Sequence, residues 1–282
     1  MPSRSDPGDL RLKTLPEPDI RRYVLDRLGG RRCTPADLLR DLARHLLLER
    51  DQAQTLLREL VAAGELAYRF EHGRTFIEPS FDRPVRVSDH IVLTPPDRLC
   101  DAGPRDAVIR IMPGAAFGAG RHPSTRLALK GLDFVLARDG RSLTGAGSRV
   151  LDIGTGSGVL IIAAVKLGIQ SGLALDIDPC AVAEARSNVE KNGLSGRIAV
   201  SDRSAETVDG VYELVTANLR TPTLARLAPR FAQWTAPRGA LVISGIRSEE
   251  YAELTGVFEP LAFDVCWRGG EQDWAGVALT KK

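Results

Sequence analysis

The stretch Val150-Leu-Asp152-Ile-Gly154-Thr-Gly156-Ser-Gly158-Val-Leu decides the fold of this chain. An apolar run that predicts a β-strand passes into a glycine-rich turn and then into a helical pattern. Glycines in such a turn let the backbone come close to a bound nucleoside or amino-acid group. A dinucleotide fingerprint has the spacing Gly-x-Gly-x-x-Gly, whereas this turn has Gly-x-Gly-x-Gly. We therefore assign Gly154, Gly156 and Gly158 to the site of a different cofactor.

An acidic residue, Asp152, stands two positions before the first glycine. Its charge would repel a pyrophosphate in a partly dry site, but it suits a cationic ligand. S-Adenosylmethionine, which carries a positive sulfonium and an α-ammonium, is such a ligand. The alternative role for Asp152 is a hydrogen bond to the backbone of its own turn, and both roles can hold together.

Further acids follow the next two predicted strands. Asp176 is placed to accept hydrogen bonds from two ribose hydroxyls, and its neighbour Ile177 is assigned to the cofactor site with it. Asp178 precedes a proline and a long helical pattern, which predicts a helix N-cap. Asp202 has two interpretations, an acceptor for an adenine amine or a solvated loop acid.

Short apolar runs alternate with helical patterns on both sides of the glycine-rich turn. Such alternation predicts an α/β fold with a Rossmann-like, mostly parallel, doubly wound sheet that binds ligands at the carboxyl ends of its strands. The predicted strands are 108–111, 149–153, 173–176, 198–200, 214–217, 240–244, 263–267 and 275–280. The predicted helices are 123–137, 159–167, 179–192, 223–234 and 249–258.

The N-terminal part of the chain has a different pattern. Residues 1–18 are polar and contain several prolines and glycines, which predicts a flexible leader. A helical pattern begins at Asp19, and a second begins after Thr34, a predicted N-cap followed by Pro35 at the first helical position. A third helical pattern ends at Gly64.

Two predicted strands, 66–70 and 74–78, complete this part as a hairpin. Three helices followed by a hairpin resemble a winged helix-turn-helix domain over residues 19–80, and the alternative is a small accessory or docking domain. Residues 1–90 hold 16 Lys and Arg against 15 Asp and Glu, whereas a DNA-reading module has a clustered basic surface. Residues 81–106, punctuated by prolines, predict a linker with short strands.

The composition of the whole chain excludes several classes of protein. The formal charge is +2 over 282 residues, which disfavours nucleic acid as a partner. The four cysteines lie far apart in the sequence, so we expect reduced thiols and no metal site. Neither a signal segment nor a membrane-spanning run is present, which predicts a soluble, cytoplasmic protein. The sequence makes no prediction of oligomeric state.

Three motifs together resemble a class I S-adenosylmethionine-dependent methyltransferase: Asp152-x-Gly154-x-Gly156-x-Gly158, Asp176-Ile-Asp178-Pro179 and Asn188-x3-Asn192-Gly193. An upstream loop reads Met112-Pro-Gly114-Ala-Ala-Phe117-Gly118-Ala-Gly120-Arg-His122-Pro123-Ser124-Thr125. It is similar to a loop of the bacterial ribosomal large-subunit protein methyltransferase family, known as PrmA. The loop of that family reads Pro-Gly-x-Ala-Phe-Gly-Thr-Gly-x-His-Pro-Thr-Thr. Downstream, Ala217-Asn218-Leu219 matches that family's Ala-Asn-Ile, and Trp274 and Lys281-Lys282 resemble its C-terminus. The likeness covers residues 85–282. It implies a seven-stranded methyltransferase sheet in a domain at 107–282, with S-adenosylmethionine as cofactor and S-adenosylhomocysteine as product.

Carried over residue by residue, the family's cofactor contacts fall on Thr125, Gly154, Asp176 and Asn218. Thr125 begins a predicted helix, where its hydroxyl and the exposed backbone amides suit the methionine carboxylate. The segment that follows Asn218 borders the acceptor nitrogen, so Asn218 is also assigned to catalysis.

The loop before Thr125 adds two further candidates. Phe117, flanked by glycines, is interpreted as an apolar cover on a mobile loop that closes over the cofactor, with a core anchor as the alternative. His122 is a candidate proton relay, although a histidine before a proline also serves to position a turn.

The departures from the family concern the acceptor. Ala119 and Ser124 replace usual threonines, and Arg220 and Thr221 stand where the family is apolar and small. The segment after Asn218 is not the Asn-Pro-Pro-Tyr clamp used for planar amides and adenine amines, so those acceptors are disfavoured. The family's usual N-terminal recruiting domain is absent, and ribosomal protein is therefore not assumed as substrate.

Three functional hypotheses follow. The first is an N-methyltransferase acting on an amine, preferably a lysine or N-terminal amine of a protein. The second is an N-methyltransferase acting on a small metabolite or natural product. The third is a cofactor-sensing winged-helix regulator that binds DNA without turnover.

Overall fold

The computed structural model describes residues 20, 23–24, 27–28, 33–71, 73–112, 114, 116–138 and 143–282. These residues form two compact units, which divide between Pro79 and Ser80. The predicted leader, residues 1–18, and His72 in the predicted hairpin turn lie outside the described residues.

The N-terminal unit consists of helices and a hairpin with their own core. Its elements are α1 (Pro35–His45), α2 (Arg50–Ala62), β1 (Leu66–Glu71) and β2 (Arg74–Pro79), and β1 pairs antiparallel with β2. Helix α1 begins at the predicted N-cap, because the Thr34 hydroxyl accepts a hydrogen bond from the Asp37 N–H. Of the predicted first helix, the described residues 20, 23–24 and 27–28 are helical. Val24, Leu38, Leu57 and Ile77 are among the buried residues that these elements enclose.

The C-terminal unit opens with a three-stranded sheet of β3 (Val85–Arg86), β4 (Ile91–Thr94) and β5 (Ala107–Arg110). The assignment of 108–111 to the large sheet was wrong, because these residues pair in parallel with the fully buried strand β4 instead. The short strands expected within 81–106 are present. Ile91 and Leu93 of β4 are buried in the same core as Ile109, so this segment is part of the unit rather than a spacer outside it.

The large sheet has seven strands in the order β11-β12-β10-β9-β6-β7-β8. They are β6 (Gly145–Ile153), β7 (Ile169–Leu175), β8 (Ile198–Ser201), β9 (Tyr212–Asn218), β10 (Thr235–Arg247), β11 (Phe263–Glu271) and β12 (Trp274–Lys281). Strands β8, β7, β6, β9 and β10 pair in parallel, and β12 is antiparallel to both of its neighbours. The predicted seven-stranded, mostly parallel sheet is therefore confirmed.

Helices cover both faces of this sheet, as a doubly wound fold requires. The helices are α3 (Pro123–Asp133), α4 (Val159–Lys166), α5 (Pro179–Lys191), α6 (Thr221–Trp234) and α7 (Tyr251–Phe258), and a π-helical turn, Phe134–Arg138, extends α3. One core contains Leu129 of α3 and Ile161 of α4, and the other contains Phe231 of α6 and Phe258 of α7. No helix in the described part of the chain is both long and apolar enough to cross a membrane.

Candidate active site

A cleft of about 830 Å³ opens at the carboxyl ends of β6, β7 and β9. The chain order of the strands reverses between β6 and β9, which is where open α/β sheets bind their ligands. Seven of the predicted site residues line this cleft: Phe117, His122, Gly154, Gly156, Asp176, Ile177 and Asn218. Sequence reasoning therefore placed most of its candidates in one cavity.

Four other candidates are not among the lining residues. Thr125 is fully buried behind Asn218. Gly158 is the N-cap of α4, and its α-carbon lies against Ala185 of α5. Asp202 is exposed beyond β8, outside the lining of the cleft.

Asp152, the fourth, is completely buried within β6. Its carboxylate accepts hydrogen bonds from the hydroxyls of Thr155 and Thr216, both at 2.6 Å. Burial raises the pKa of Asp152 to about 6, against the opposing effect of the two hydroxyls. The structure thus shows Asp152 fixing its own turn to the neighbouring strand β9, which is the second of the two roles that the sequence allows, while its contact with a ligand stays a prediction.

The backbone N–H groups of the glycine-rich turn are already hydrogen-bonded within the protein. The five consecutive N–H groups from Gly154 to Gly158 donate to the carbonyls of Leu175 (twice), Phe117 and Thr155 and to the Asp176 carboxylate, at 2.8 to 2.9 Å. A phosphate-binding loop needs such groups unpaired and aimed at the ligand. The turn is therefore unsuited to a pyrophosphate, as its spacing predicts.

Asp176 is oriented by two backbone groups. Its Oδ2 accepts from the Gly156 N–H at 2.9 Å, and its Oδ1 accepts from the Asp178 N–H at 3.1 Å. Each carboxylate oxygen can accept more than one hydrogen bond, so both remain able to accept from ligand hydroxyls. Asp178 itself caps α5 as predicted, since its side chain accepts from the Cys180 N–H.

We call the described residues of 112–122 the Phe117 loop, and three of them, Ala116, Phe117 and His122, line the cleft. Phe117 is 52% exposed rather than a core anchor. The residues of the loop are tethered along their length. The tethers are Met112 N–H to Asn188 Oδ1 (3.1 Å), Ala116 N–H to Glu184 Oε2 (3.0 Å), Ser157 N–H to the Phe117 carbonyl (2.9 Å) and the Arg126 guanidinium to the Gly120 carbonyl (3.2 Å).

Gly156 explains how this loop comes so close to the glycine-rich turn. Its φ is +53°, and a Cβ at this position would lie 2.2 Å from the Phe117 carbonyl oxygen. The glycine therefore makes room for the loop, whereas the sequence analysis expected it to make room for the ligand.

A buried ion cluster anchors the end of the loop. Arg126 donates through Nε to Glu271 at 2.6 Å, and Lys130 binds the other Glu271 oxygen at 2.8 Å. The Glu271 side chain is 2% exposed. Arg126 lies on α3 and also donates to the Gly120 and Arg121 carbonyls of the loop. The Glu271 carboxylate, at the end of β11, therefore holds the side chain that joins the loop to α3.

His122 caps a helix and stacks in an aromatic row. Its Nδ1 lies 3.2 Å from the Ser124 N–H and 2.8 Å from the Ser124 hydroxyl, at the start of α3. Its ring contacts Phe117 at 5.0 Å and the edge of Trp274 at 4.7 Å between centroids. The contacts with Ser124 thus engage Nδ1 in positioning the start of α3, and the predicted relay of a proton by His122 stays a prediction.

Asn218, at the end of β9, has an unusual environment. Its amide nitrogen donates to the Thr125 hydroxyl at 3.3 Å, which fixes the side chain. Its Oδ1 is buried and has no hydrogen-bond partner among the described residues. An unpaired buried acceptor costs about 1–3 kcal/mol, so an N–H donor from a ligand would relieve it.

Sequence reasoning missed most of the charged residues that line the cleft and one of its aromatic residues. They are Arg203, Glu206, Arg220, Arg226 and Arg247, with Trp274. Arg220 was noticed only as a departure from the family, and Trp274 only as a likeness at the C-terminus. Arg247 ends β10 and lies over the Trp274 ring at 4.2 Å. No local motif connects β10 with the β11–β12 hairpin, so only the fold brings these two residues together. No cluster of residues suited to a metal ion is present in the described ranges.

A seven-stranded sheet in this order, with a glycine-rich turn after β6 and an acid after β7, defines the class I S-adenosylmethionine-dependent methyltransferase fold. Within that class, the chain belongs to the family described as ribosomal protein L11 methyltransferase (PrmA), whose model matches residues 79–282. The match begins at the boundary between the two units.

Named relatives agree with this assignment. The chain is 38% identical over 198 residues to the ribosomal protein L11 methyltransferase of Geotalea uraniireducens, covering 68% of this chain and 62% of that protein. The Neisseria meningitidis protein of the same name is 37% identical over 206 residues, covering 73% and 65%. The chain therefore spans less than two thirds of the length of these curated relatives. The crystal structure of ribosomal protein L11 methylase from Lactobacillus delbrueckii subsp. bulgaricus superimposes with a TM-score of 0.62 at 30% identity, covering 71% of this chain and 99% of that one.

Proposed function

We propose that this chain is an S-adenosylmethionine-dependent N-methyltransferase that methylates an amine of a protein, either a lysine side chain or an N-terminal amine. The observation that carries the proposal is that Asp176 and Asn218 line the same cleft, at the point where the strand order reverses. One side chain offers carboxylate oxygens, and the other offers a buried amide oxygen without a partner. Membership of the PrmA family supports the same reaction.

The residues of the cleft fit S-adenosylmethionine. Asp176 would accept hydrogen bonds from the ribose hydroxyls, and Ile177, which is 81% exposed, would offer an apolar surface to the adenine. Asp202, beyond the next strand, remains our proposed acceptor for the adenine amine. Phe117 would cover the cofactor from the loop side. The bound cofactor supplies an electrophilic methyl group on its sulfonium.

The other carried-over residues would act by shaping this site. Thr125 holds Asn218 in place, and the N-terminal end of α3 that it occupies suits the methionine carboxylate. Asp152, with Gly154, Gly156 and Gly158, would fix the turn beneath the cofactor.

The chain's part in catalysis is positioning. Holding two reactants in near-attack geometry lowers a barrier by roughly 7 to 11 kcal/mol. Asn218 would accept an N–H of the acceptor amine at Oδ1 and so direct its lone pair. The amine must be neutral when it attacks, which a partly dry cleft favours. His122, which lines the same cleft, is our proposed relay for the released proton.

For the N-terminal unit we propose a winged-helix-like domain, residues 19–80, that selects the protein acceptor. The near-zero charge of residues 1–90 disfavours nucleic acid, and we propose a cytoplasmic location. Tyr68 and Phe70 lie on one face of β1 and are 53% and 75% exposed. Aromatic side chains of this kind are enriched where proteins bind each other.

The cofactor assignment is tested by calorimetry with S-adenosylhomocysteine and with a nicotinamide dinucleotide. We expect binding of the first alone. The reverse result would refute the assignment.

The acceptor is tested with tritiated S-adenosylmethionine and an extract of cells that lack this chain. We expect label in protein, and we expect Asp176→Ala to lower it strongly when S-adenosylmethionine is kept below its wild-type Kd. Label confined to small molecules would show that the methyl acceptor is a small metabolite and not a protein. A Tyr68→Ser, Phe70→Ser variant should lower protein labelling while its affinity for S-adenosylhomocysteine stays within about twofold.

A further inference from the structure

Two exposed arginines line the cleft at the ends of neighbouring strands. Arg220 follows the end of β9, and Arg247 is the last residue of β10. The two strands are parallel and in register at Asn218 and Ser244, so their carboxyl ends meet at the same edge. Both arginines line the cleft and both are exposed. This arginine pair therefore lies next to Asn218, where the acceptor amine is proposed to bind.

Glu250 holds the two arginine-bearing segments together. Its Oε2 accepts from the Thr221 hydroxyl at 2.6 Å and from the Arg247 N–H at 3.1 Å. These bonds lower the pKa of Glu250, with the Thr221 hydroxyl as the largest cause. The Glu250 carboxylate thus joins the segment of Thr221 to that of Arg247 through a hydroxyl and a backbone N–H, and not through either guanidinium.

The acidic neighbour of the arginine pair is Glu250, whose pKa is lowered first by the Thr221 hydroxyl and also by the charge of Arg247. Within the described residues, neither Arg220 nor Arg247 forms an ion pair, whereas Arg226 on the same cleft binds Glu206 at 2.9 Å. The Arg247 guanidinium lies over the Trp274 ring, which fixes its plane and leaves the N–H groups at its edge able to donate. An oriented cation, Arg247, and a second exposed cation, Arg220, beside the site suit an anionic group on the ligand.

We propose that the arginine pair recognises a carboxylate close to the amine that is methylated. A planar carboxylate matches the paired N–H donors of a guanidinium. The proposal rests on the methyltransferase function proposed above and specifies its acceptor. The carboxylate belongs either to an acidic residue beside a lysine in a peptide or to a free amino acid.

The experiment compares matched acceptors in two arms. The peptide arm uses N-acetylated peptides with one lysine flanked by Asp, by Asn or by Arg. The small-molecule arm compares free lysine with 1,5-diaminopentane, which lacks the carboxylate. Tritiated methyl transfer gives kcat/KM for each acceptor, and calorimetry gives the affinity for S-adenosylhomocysteine.

We expect the wild-type chain to prefer the carboxylate-bearing acceptor about fivefold in at least one arm, equivalent to ~1 kcal/mol. Arg220→Gln should remove the preference, and Arg220→Glu should shift it towards the Arg-flanked peptide. The preference should also shrink in 0.5 M NaCl, because salt screens exposed charges. Arg105→Gln, an exposed arginine outside the cleft lining, is the matched control and should keep the preference.

Several outcomes would overturn the inference while leaving the proposed function intact. Equal rates for matched acceptors, or no methylation in either arm by a chain that binds S-adenosylhomocysteine, would do so. A tenfold loss of S-adenosylhomocysteine affinity in Arg220→Gln would show that the arginine pair holds the cofactor's own carboxylate. Failure of the wild-type chain to bind S-adenosylhomocysteine would instead refute the proposed function.

Discussion

Replacing Asp152 by Asn tests whether this residue supports its own turn or also contacts the ligand. The substitution keeps the size of the side chain and removes its ionisation. The amide can still accept from one of the threonine hydroxyls, Thr155 or Thr216, and donate to the other. We expect the variant to fold and to bind S-adenosylhomocysteine within a few-fold of the wild-type affinity.

The same substitution has a calculable effect on the pH dependence of stability. The pKa of Asp152 is about 6 in the folded chain, against 3.8 for the unperturbed group, because burial disfavours the charged form. Protonated Asp152 therefore favours the folded state below pH 3.8, and this contribution is lost as pH rises through 6. A difference of about 2 pKa units corresponds to about 3 kcal/mol. Asp152→Asn lacks this loss. Part of the loss already lies below pH 4, so the stability of the variant relative to wild type should rise by about 2.4 kcal/mol from pH 4 to pH 7.

Urea unfolding followed by tryptophan fluorescence measures this difference. The chain's three tryptophans are Trp234, Trp267 and Trp274, so the signal reports on the C-terminal unit alone. A variant-minus-wild-type difference that stays constant from pH 4 to pH 7 would show that the pKa of Asp152 is not raised. A tenfold or greater loss of S-adenosylhomocysteine affinity in a folded variant would show that Asp152 contacts the cofactor directly.

Three further substitutions test other parts of the site. Asp176→Ala should weaken S-adenosylhomocysteine binding about tenfold to a hundredfold, because hydrogen bonds to a charged acceptor contribute about 1.5–3 kcal/mol; unchanged affinity by calorimetry would contradict this. Gly156→Ala places a Cβ against the Phe117 carbonyl at a positive φ, so we expect a lower Tm and at least a tenfold loss of affinity, and a wild-type Tm would argue against the close approach. Arg126→Met should lower the free energy of unfolding in urea by about 3 kcal/mol, because it leaves the buried Glu271 short of a partner. Adding Glu271→Leu should restore most of that stability. Equal losses in the single and double variants would count against the buried cluster.

Patterns within one element were read well from the sequence. The Thr34 cap, the Asp178 cap and the strand that ends before Asp176 each depend on neighbours within a few residues, so local chemistry specifies them. The large sheet was predicted for the same reason, because each of its strands is a separate apolar run. The strand at 107–110 was assigned to the wrong sheet. Its apolar pattern predicts a strand but does not specify whether that strand pairs with β4 or with a strand of the large sheet.

The site was predicted less completely than the fold. Asp152 lies in the correct motif, but its contact with Thr216 depends on the pairing of β6 with β9. Arg247 and Trp274 come from separate strands and meet only after the sheet has formed. Long-range contacts of this kind carry no signature in a single sequence, and they make up the acceptor side of the cleft.

The tethers of the Phe117 loop have a consequence for how quickly a ligand can bind. The described residues of this cover are held by four hydrogen-bonded attachments before a ligand arrives, so little ordering entropy would be lost on binding. Association would then be limited by diffusional encounter through the open side of the cleft, with no slow opening step before it. Differences in affinity among ligands of this site would accordingly arise in their dissociation rates.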